Sequence, residues 1–304
     1  MHTLCFIKYV LALLLSAWLG CVSSAHAAID GAGRLVAERP LMHVVAEQAG
    51  TLQSTAKADL QQPAGDSQGR ILFILASSKV HGNSTIPASI SFGEVVNAWD
   101  IFHAAGYAMD FVSPDGGDPP ILDAYVSDDV EARLQDDRIM GGLRNTLTPA
   151  QVDASRYKAV YYVGGSNAMY GVAEHPVLQD IAMQVYERNG GVVSAVCHGT
   201  AGIVNLTLAN GQALVSGKRI SGYPEEDEEQ DAAYFKEFPF LIRKTVESRG
   251  GLFSAINSDD PYIAVDGRVV TGQNYASAKP VAEAVVEVLR KIAAQAPGQG
   301  TKKG

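Results

Sequence analysis

Thiols are scarce in this 304-residue chain. Its three cysteines are Cys5, Cys21 and Cys197. Two of them lie in the first 21 residues, so no disulfide framework is legible. Histidine is thin too. Of seven, only His198 stands at or beyond Cys197. No H-x-H or H-E-x-x-H spacing occurs, and the histidines are scattered, so no metal site is read. Basic residues are outnumbered, 24 Lys and Arg against 33 Asp and Glu, for a formal charge of −9. That disfavours nucleic acid as a partner, because phosphate binding needs a basic surface. Nucleotide-binding motifs fail as well. "DGAGRLV" lacks a third glycine and a preceding strand, and "GQALVSGK" has the wrong spacing, with no Ser or Thr after Lys218. No nucleotide-binding site is therefore read.

What is present is an ordinary globular composition, 47% hydrophobic and 19% charged. The N-terminus reads as a targeting signal. Lys8 is the only charge before Asp30, and "YVLALLLSAWLGC" is an apolar stretch of signal-core length, short for a bilayer span. "SAHAA" follows with Ala25 and Ala27 in an A-x-A arrangement, which puts cleavage after Ala27. Lipoprotein processing at Cys21 is the alternative, and the bulky Trp18 fits it poorly. An uncleaved anchor helix is the other, and no stable membrane insertion is expected after cleavage. The expected location is periplasmic or secreted. Removal of residues 1–27 takes away Lys8 and no acid, moving the charge from −9 to −10. It also leaves Cys197 as the one thiol, in an oxidising compartment where an idle exposed thiol is a liability.

Residues 28–68 are polar and mixed, and read as an extension or linker. The domain expected over 69–292 opens abruptly with "RILFILAS", a continuous apolar run suited to a strand buried on both faces. Strands and helices then alternate. "GEVVNAWDIFHAAG" carries Val95, Trp99 and Phe102 at helical spacing and stops at Gly106. "YAMDFVS" is a strand, and "LTPAQVDASRY" offers Thr148 and Pro149 as a helix start. "KAVYYVGG" is a strand and "HPVLQDIAMQVYERNG" a helix. "GVVSAV" is a strand, with a helix predicted to begin near Gly199. This alternation predicts an α/β fold with a parallel sheet. Later, "KRISGY" predicts a short strand, Pro239 a break in a helical stretch, and Asp266-Gly267 a hairpin. "ASAKPVAEAVVEVLRKI" closes as an amphipathic helix, and residues 293–304 read as a disordered tail.

The chemistry centres on "SAVCHGTAG". A strand feeding a helix through a turn of small residues is a nucleophile-elbow layout, which sets Cys197 at the carboxyl end of a central strand. A helix N-terminus there would favour the thiolate. The competing reading is a buried, inert thiol. The histidine census excludes a papain-like order, and also a glutamine amidotransferase triad, which needs a later His-x-Glu. His198 is then the first candidate to assist Cys197. Five acids follow, Glu225, Glu226, Asp227, Glu228 and Glu229, any one of which could orient His198; the rest read as a solvated face. Glu94 opens the helix after the first strand, at the same sheet edge, and serves either proton transfer or the helix dipole. Gly164-Gly165 ends another strand on that edge. Its backbone N–H groups, with that of His198, could form an oxyanion site, or simply make a tight turn.

Taken together, the Glu94 segment, "SPDGG", "YYVGG", "SAVCHGTAGIVNL", "GKRISGYPEEDE" and "VVTGQN" resemble the ThiJ/PfpI (DJ-one) superfamily over roughly residues 70–292, and within it the heat-shock-protein-31-like branch. The resemblance implies a class I glutamine amidotransferase-like fold, a flavodoxin-like three-layer α/β/α sandwich with a mostly parallel sheet. It implies Cys197 as nucleophile, His198 and Glu228 as its triad partners, Glu94 as the carboxyl bonded to the thiolate, and Gly165 with the His198 amide as the oxyanion site. Departures are Ala98, where many relatives carry Pro; Ser166-Asn167, in place of a frequent His-Gly; and Tyr275, in place of a Pro. The activity implied is a cofactor-free, glutathione-independent glyoxalase III-like conversion of 2-oxoaldehydes to 2-hydroxy acids. The expected partner is a small carbonyl substrate, with a homodimer as the expected assembly. A cysteine hydrolase acting on amides or peptides, and a holdase chaperone, are the rival expectations. A redox-sensing thiol is a third.

Overall fold

The computed structural model describes residues 68–295, and the backbone of a short antiparallel ribbon pairing Ala27–Ile29 with Leu35–Ala37. The expected signal core, most of the extension and the tail beyond Gln295 lie outside the described residues. Eight strands follow the ribbon: β1 (Arg70–Ile74), β2 (Ala108–Val112), β3 (Tyr157–Tyr162), β4 (Val192–Val196), β5 (Arg219–Ile220), β6 (Leu252–Phe253), β7 (Ile263–Asp266) and β8 (Val269–Gly272). The α-helices are α1 (Phe92–Ala104), α2 (Asp137–Leu143), α3 (Pro176–Met183), α4 (Ile242–Ser248) and α5 (Ala278–Gln295).

The main sheet has the order β2-β1-β3-β4-β8-β7. Its first five strands are parallel, and β7 closes the edge antiparallel to β8 through the Asp266-Gly267 turn, with Gly267 at φ 59°. The uninterrupted apolar run of β1 is explained by two-sided burial. Ile71, Phe73 and Leu75 enter a core with α1 and α5, while Leu72, Ile74 and Ala76 enter a second core with α3 and α4. Helices on both faces of a mostly parallel sheet make this a flavodoxin-like three-layer sandwich. The chain order turns outward from β1 in both directions, to β2 on one side and β3 on the other. The crevice at such a reversal, beyond the carboxyl ends of the strands, is where open α/β sheets hold ligands. Glu94 follows β1, Gly164-Gly165 follow β3, and Cys197 follows β4.

Three local expectations need correction. The segment after Thr148 is a single 3₁₀ turn, Pro149–Gln151, followed by another at Ala154–Arg156. Gln151 Oε1 turns back to accept the Thr148 N–H at 2.8 Å, closing the turn, and Tyr157 already starts β3. The segment after the elbow is a seven-residue 3₁₀ helix, Cys197–Ile203, and not an α-helix. It lies directly on the end of β3. A Cβ at Gly199 would sit 2.8 Å from the Val163 carbonyl carbon, and one at Gly202 would sit 2.6 Å from the Tyr162 ring. Its small residues serve this close approach. The closing helix runs to Gln295, three residues past the expected boundary. The expected break near Pro239 separates the 3₁₀ turn Phe235–Glu237 from α4. Among the described residues, no helix is long and apolar enough to cross a membrane.

Candidate active site

Cys197 has φ 55°, the only positive φ outside glycine among the described residues. A side chain in the left-handed region is strained, and such strain persists only where the surroundings over-determine it. Here β4 enters from one side, and the 3₁₀ helix pressed on β3 leaves on the other. The thiol is 5% exposed.

His198 is fully buried. Its ring lies flat against Tyr223, with centroids 4.6 Å apart, and edge-on to Phe238. Nδ1 is 3.4 Å from the Cys197 sulfur, within sulfur hydrogen-bond range. Nε2 is 2.6 Å from Glu228 Oε1. Of the five acids, then, Glu228 meets His198. The others are engaged elsewhere: Glu225 Oε1 accepts the Lys244 N–H, Glu226 pairs with Arg243 at 3.2 Å, and Asp227 lies 3.5 Å from the Gln273 amide. The Glu229 backbone N–H donates to the Tyr234 hydroxyl.

Glu94 is the third residue of α1, behind Ser91 at the N-cap. Its carboxyl is 1% exposed, and Oε2 accepts the Gly164 N–H at 2.8 Å. Burial raises its pKa to about 7; the Gly164 amide, the neighbouring His198, and hydrogen bonds from Cys197 and Ser91 hold it from rising further. Gly164 is required by crowding. A Cβ there would lie 2.6 Å from Glu94 Oε2 and 2.9 Å from the Cys197 Cβ. Its amide therefore holds Glu94 and does not face a substrate oxyanion, which corrects that part of the sequence reading. Gly165 is at φ 105°, and a Cβ there would collide with backbone from Ser89 to Ser91.

Several contributors are given no role by the sequence reading. Tyr234 donates its hydroxyl to Glu228 Oε2 at 3.0 Å. His81, from the loop after β1, is 2% exposed and sits among Tyr170, Tyr234 and Phe238, its Nδ1 3.3 Å from the Tyr170 hydroxyl. Burial, and then the neighbouring His198, lower its pKa to about 4. Tyr275 packs on the start of α1, where a Cβ at Gly93 would lie 2.6 Å from its ring, and its hydroxyl meets Ser127 Oγ at 2.9 Å. Ser166 Oγ accepts the Ser89 N–H, and Asn167 donates to the carbonyls of Ala76 and Ser78, so this pair fastens the β3 turn to the β1 loop. A cleft of about 180 Å³, counting the solvent space at its mouth, is lined by His198, Met169, Tyr223 and Phe238 among others. The arrangement has the parts for nucleophilic catalysis: a thiol, an adjacent imidazole oriented by a carboxylate, and a second carboxyl able to exchange a proton near neutrality.

The chain is similar to known proteins over most of this region. The glutathione-independent glyoxalase HSP31 of Saccharomyces cerevisiae is 29% identical over 208 residues, 65% of this chain and 87% of that one. The glutathione-independent glyoxalase hsp3102 of Schizosaccharomyces pombe is 28% identical over 213 residues, 66% of this chain and 88% of that one. The crystal structure of glyoxalase III from Candida albicans superposes with a TM-score of 0.66 at 26% identity, covering 74% of this chain and 98% of that one. The family model described as DJ-1/PfpI matches residues 89–288, a span that holds Glu94, the glycine turn, the Cys197 elbow and Glu228. With that span matched and the same fold beneath it, the chain belongs to the DJ-1/PfpI family, in its heat-shock-protein-31-like branch.

Proposed function

We propose that this protein is a cysteine-dependent, cofactor-free glyoxalase that converts 2-oxoaldehydes such as methylglyoxal to 2-hydroxy acids. One observation carries the reading. Glu94, with a pKa near 7, is hydrogen-bonded beside Cys197, which in turn has His198 3.4 Å from its sulfur. A hydrolase needs the thiol and the imidazole. An internal redox between adjacent carbons also needs a group that takes a proton from one carbon and returns it to the next, and a carboxyl titrating near neutrality does both. The names of the similar yeast proteins agree with this reading.

The steps balance without an external oxidant. Cys197 loses its proton to His198 and adds to the aldehyde carbon, and the proton returns to the new oxyanion, giving a hemithioacetal. Glu94 removes the hydrogen from that carbon as a proton, giving an enediolate, and delivers it to the neighbouring carbon while the hemithioacetal hydroxyl proton passes to the neighbouring oxygen, giving a 2-hydroxy thioester. Water attacks the thioester with His198 as base, releasing the acid and the thiol. Overall, one 2-oxoaldehyde and one water become one 2-hydroxy acid.

The test is loss of methylglyoxal with formation of lactate by the purified protein, run beside Cys197→Ala. Turnover abolished by the substitution supports the reading. Amide or peptide turnover without methylglyoxal loss transfers the site to hydrolysis, and a holdase activity that survives Cys197→Ala, with no turnover of either kind in the wild type, overturns an enzymatic role. We read the N-terminal pattern as export, so this carbonyl chemistry would occur outside the cytoplasm; fractionation with sizing of the mature chain tests that.

A further inference from the structure

The hydrogen-bond chain behind Cys197 has a direction, and its far end is backbone. The Glu229 N–H donates to the Tyr234 hydroxyl oxygen at 3.1 Å. A backbone amide can only donate. The phenol hydrogen must therefore point away from that amide, and Glu228 Oε2 lies 3.0 Å from the same oxygen. An ionised carboxylate only accepts. With Oε2 taking the phenol hydrogen, the other oxygen, Oε1, faces His198 Nε2 at 2.6 Å. That nitrogen is then the donor, and the neutral imidazole carries its lone pair on Nδ1, 3.4 Å from the Cys197 sulfur. Each link favours one orientation of the next.

The ring of Tyr234 is as constrained as its hydroxyl. It is 5% exposed, and lies between His81 and Phe238, with centroids 5.3 and 5.8 Å away. Phe238 also packs on His198. The phenol thus reaches Glu228 from a fixed platform and stops the carboxylate from turning about its last bond.

We propose that Tyr234 is a positioning residue of this site: through Glu228 it sets His198 in the tautomer with the proton on Nε2 and the bare Nδ1 turned to Cys197. The role rests on the reading of Cys197 as the nucleophile, and it is independent of which carbonyl compound is the substrate.

Three readouts test it, and the first two, the ring spectrum and thiol alkylation, use no oxoaldehyde. In the wild-type protein, ¹⁵N spectra of the His198 ring should show hydrogen on Nε2 and none on Nδ1 at neutral pH. A proton found on Nδ1 overturns the proposal without any variant, so the test survives a variant that fails to fold. Tyr234→Phe keeps the ring and removes the hydroxyl. It should yield a mixed tautomer signal and slow alkylation of Cys197 by iodoacetamide by about ten- to a hundredfold, the worth of one hydrogen bond to a charged group. kcat for the proposed substrate should fall with little change in KM. An unchanged tautomer and alkylation profile with only a lowered Tm would make Tyr234 a packing residue and overturn the proposal. Absence of methylglyoxal turnover in the wild type, with the tautomer and alkylation results as expected, would sink the glyoxalase reading and leave this one standing.

Discussion

The Glu94 carboxyl and the Gly164 amide meet at 2.8 Å, and that bond joins the helix after β1 to the turn after β3 across the mouth of the sheet. Glu94 is held where burial makes its proton exchangeable near pH 7. If it serves as the base, the proposed reaction needs it deprotonated at the start. kcat/KM should rise as pH increases through about 7 and then level. Glu94→Gln retains an acceptor for the Gly164 N–H but cannot take a proton. It should lose about 10²- to 10⁴-fold in rate, and the limb near 7 with it. Steady-state rates from pH 5 to 9 for both proteins check this.

Gly164→Ala should act on the same bond by crowding. The new methyl group would lie 2.6 Å from Glu94 Oε2 and 2.9 Å from the Cys197 Cβ, so one of them must move. We expect about a hundredfold loss in kcat/KM, because a small misplacement of a proton-transfer group is costly. The displaced carboxyl should also reach more water, moving its pH limb below that of the wild type. Rate profiles of the variant against pH report both effects.

The strain at Cys197 is measurable through stability. At φ 55° a residue with a Cβ carries a cost that glycine does not. Cys197→Gly should therefore be more stable than Cys197→Ala by about 1 kcal/mol, reversing the usual order for buried positions. Neither variant should turn over substrate. Urea unfolding of the two variants at one pH gives the comparison, and a less stable glycine variant would mean the backbone relaxes freely.

Glu94 and His81 should drive stability in opposite directions over the same window. Glu94 is raised from 4.5 to about 7, so the folded state holds its proton longer. Its contribution is full below about 4.5 and is lost as pH rises through 7. His81 is lowered from 6.5 to about 4, so its contribution is full above about 6.5 and is lost as pH falls through 4. Each amounts to about 3 kcal/mol across its range. In the wild type the two slopes offset between about pH 4.5 and 6.5. His81→Gln should expose a decline in stability as pH rises, and Glu94→Gln a rise. Unfolding free energies at pH 5 and 7 for the two variants distinguish these signs.

Much of the fold was legible because its signals are local. The apolar run of β1, the glycine turn after β3 and the hairpin at Asp266-Gly267 each state their own geometry in a few residues. Where the sequence reading went astray, distant contacts outweighed local propensity. The stretch Cys197–Ile203 winds as 3₁₀ helix because Gly199 and Gly202 let β3 press against it, and nothing in "CHGTAG" names β3. Gly164 read as an oxyanion donor because its carboxylate partner lies 70 residues away.

By itself the sequence determined that one thiol stands at a strand end with one histidine beside it, and that a carboxyl sits on the same edge after the first strand. Those statements depend only on chain order and on the rule that parallel strands bring their carboxyl ends together. The tertiary structure decided the rest. It chose Glu228 among five neighbouring acids, turned the Gly164 amide onto Glu94, and brought Tyr234 and His81 up behind His198. The physical reason is that a hydrogen bond is selected by distance and direction within an ångström or less, and residues far apart in the chain acquire such distances only once both cores are packed.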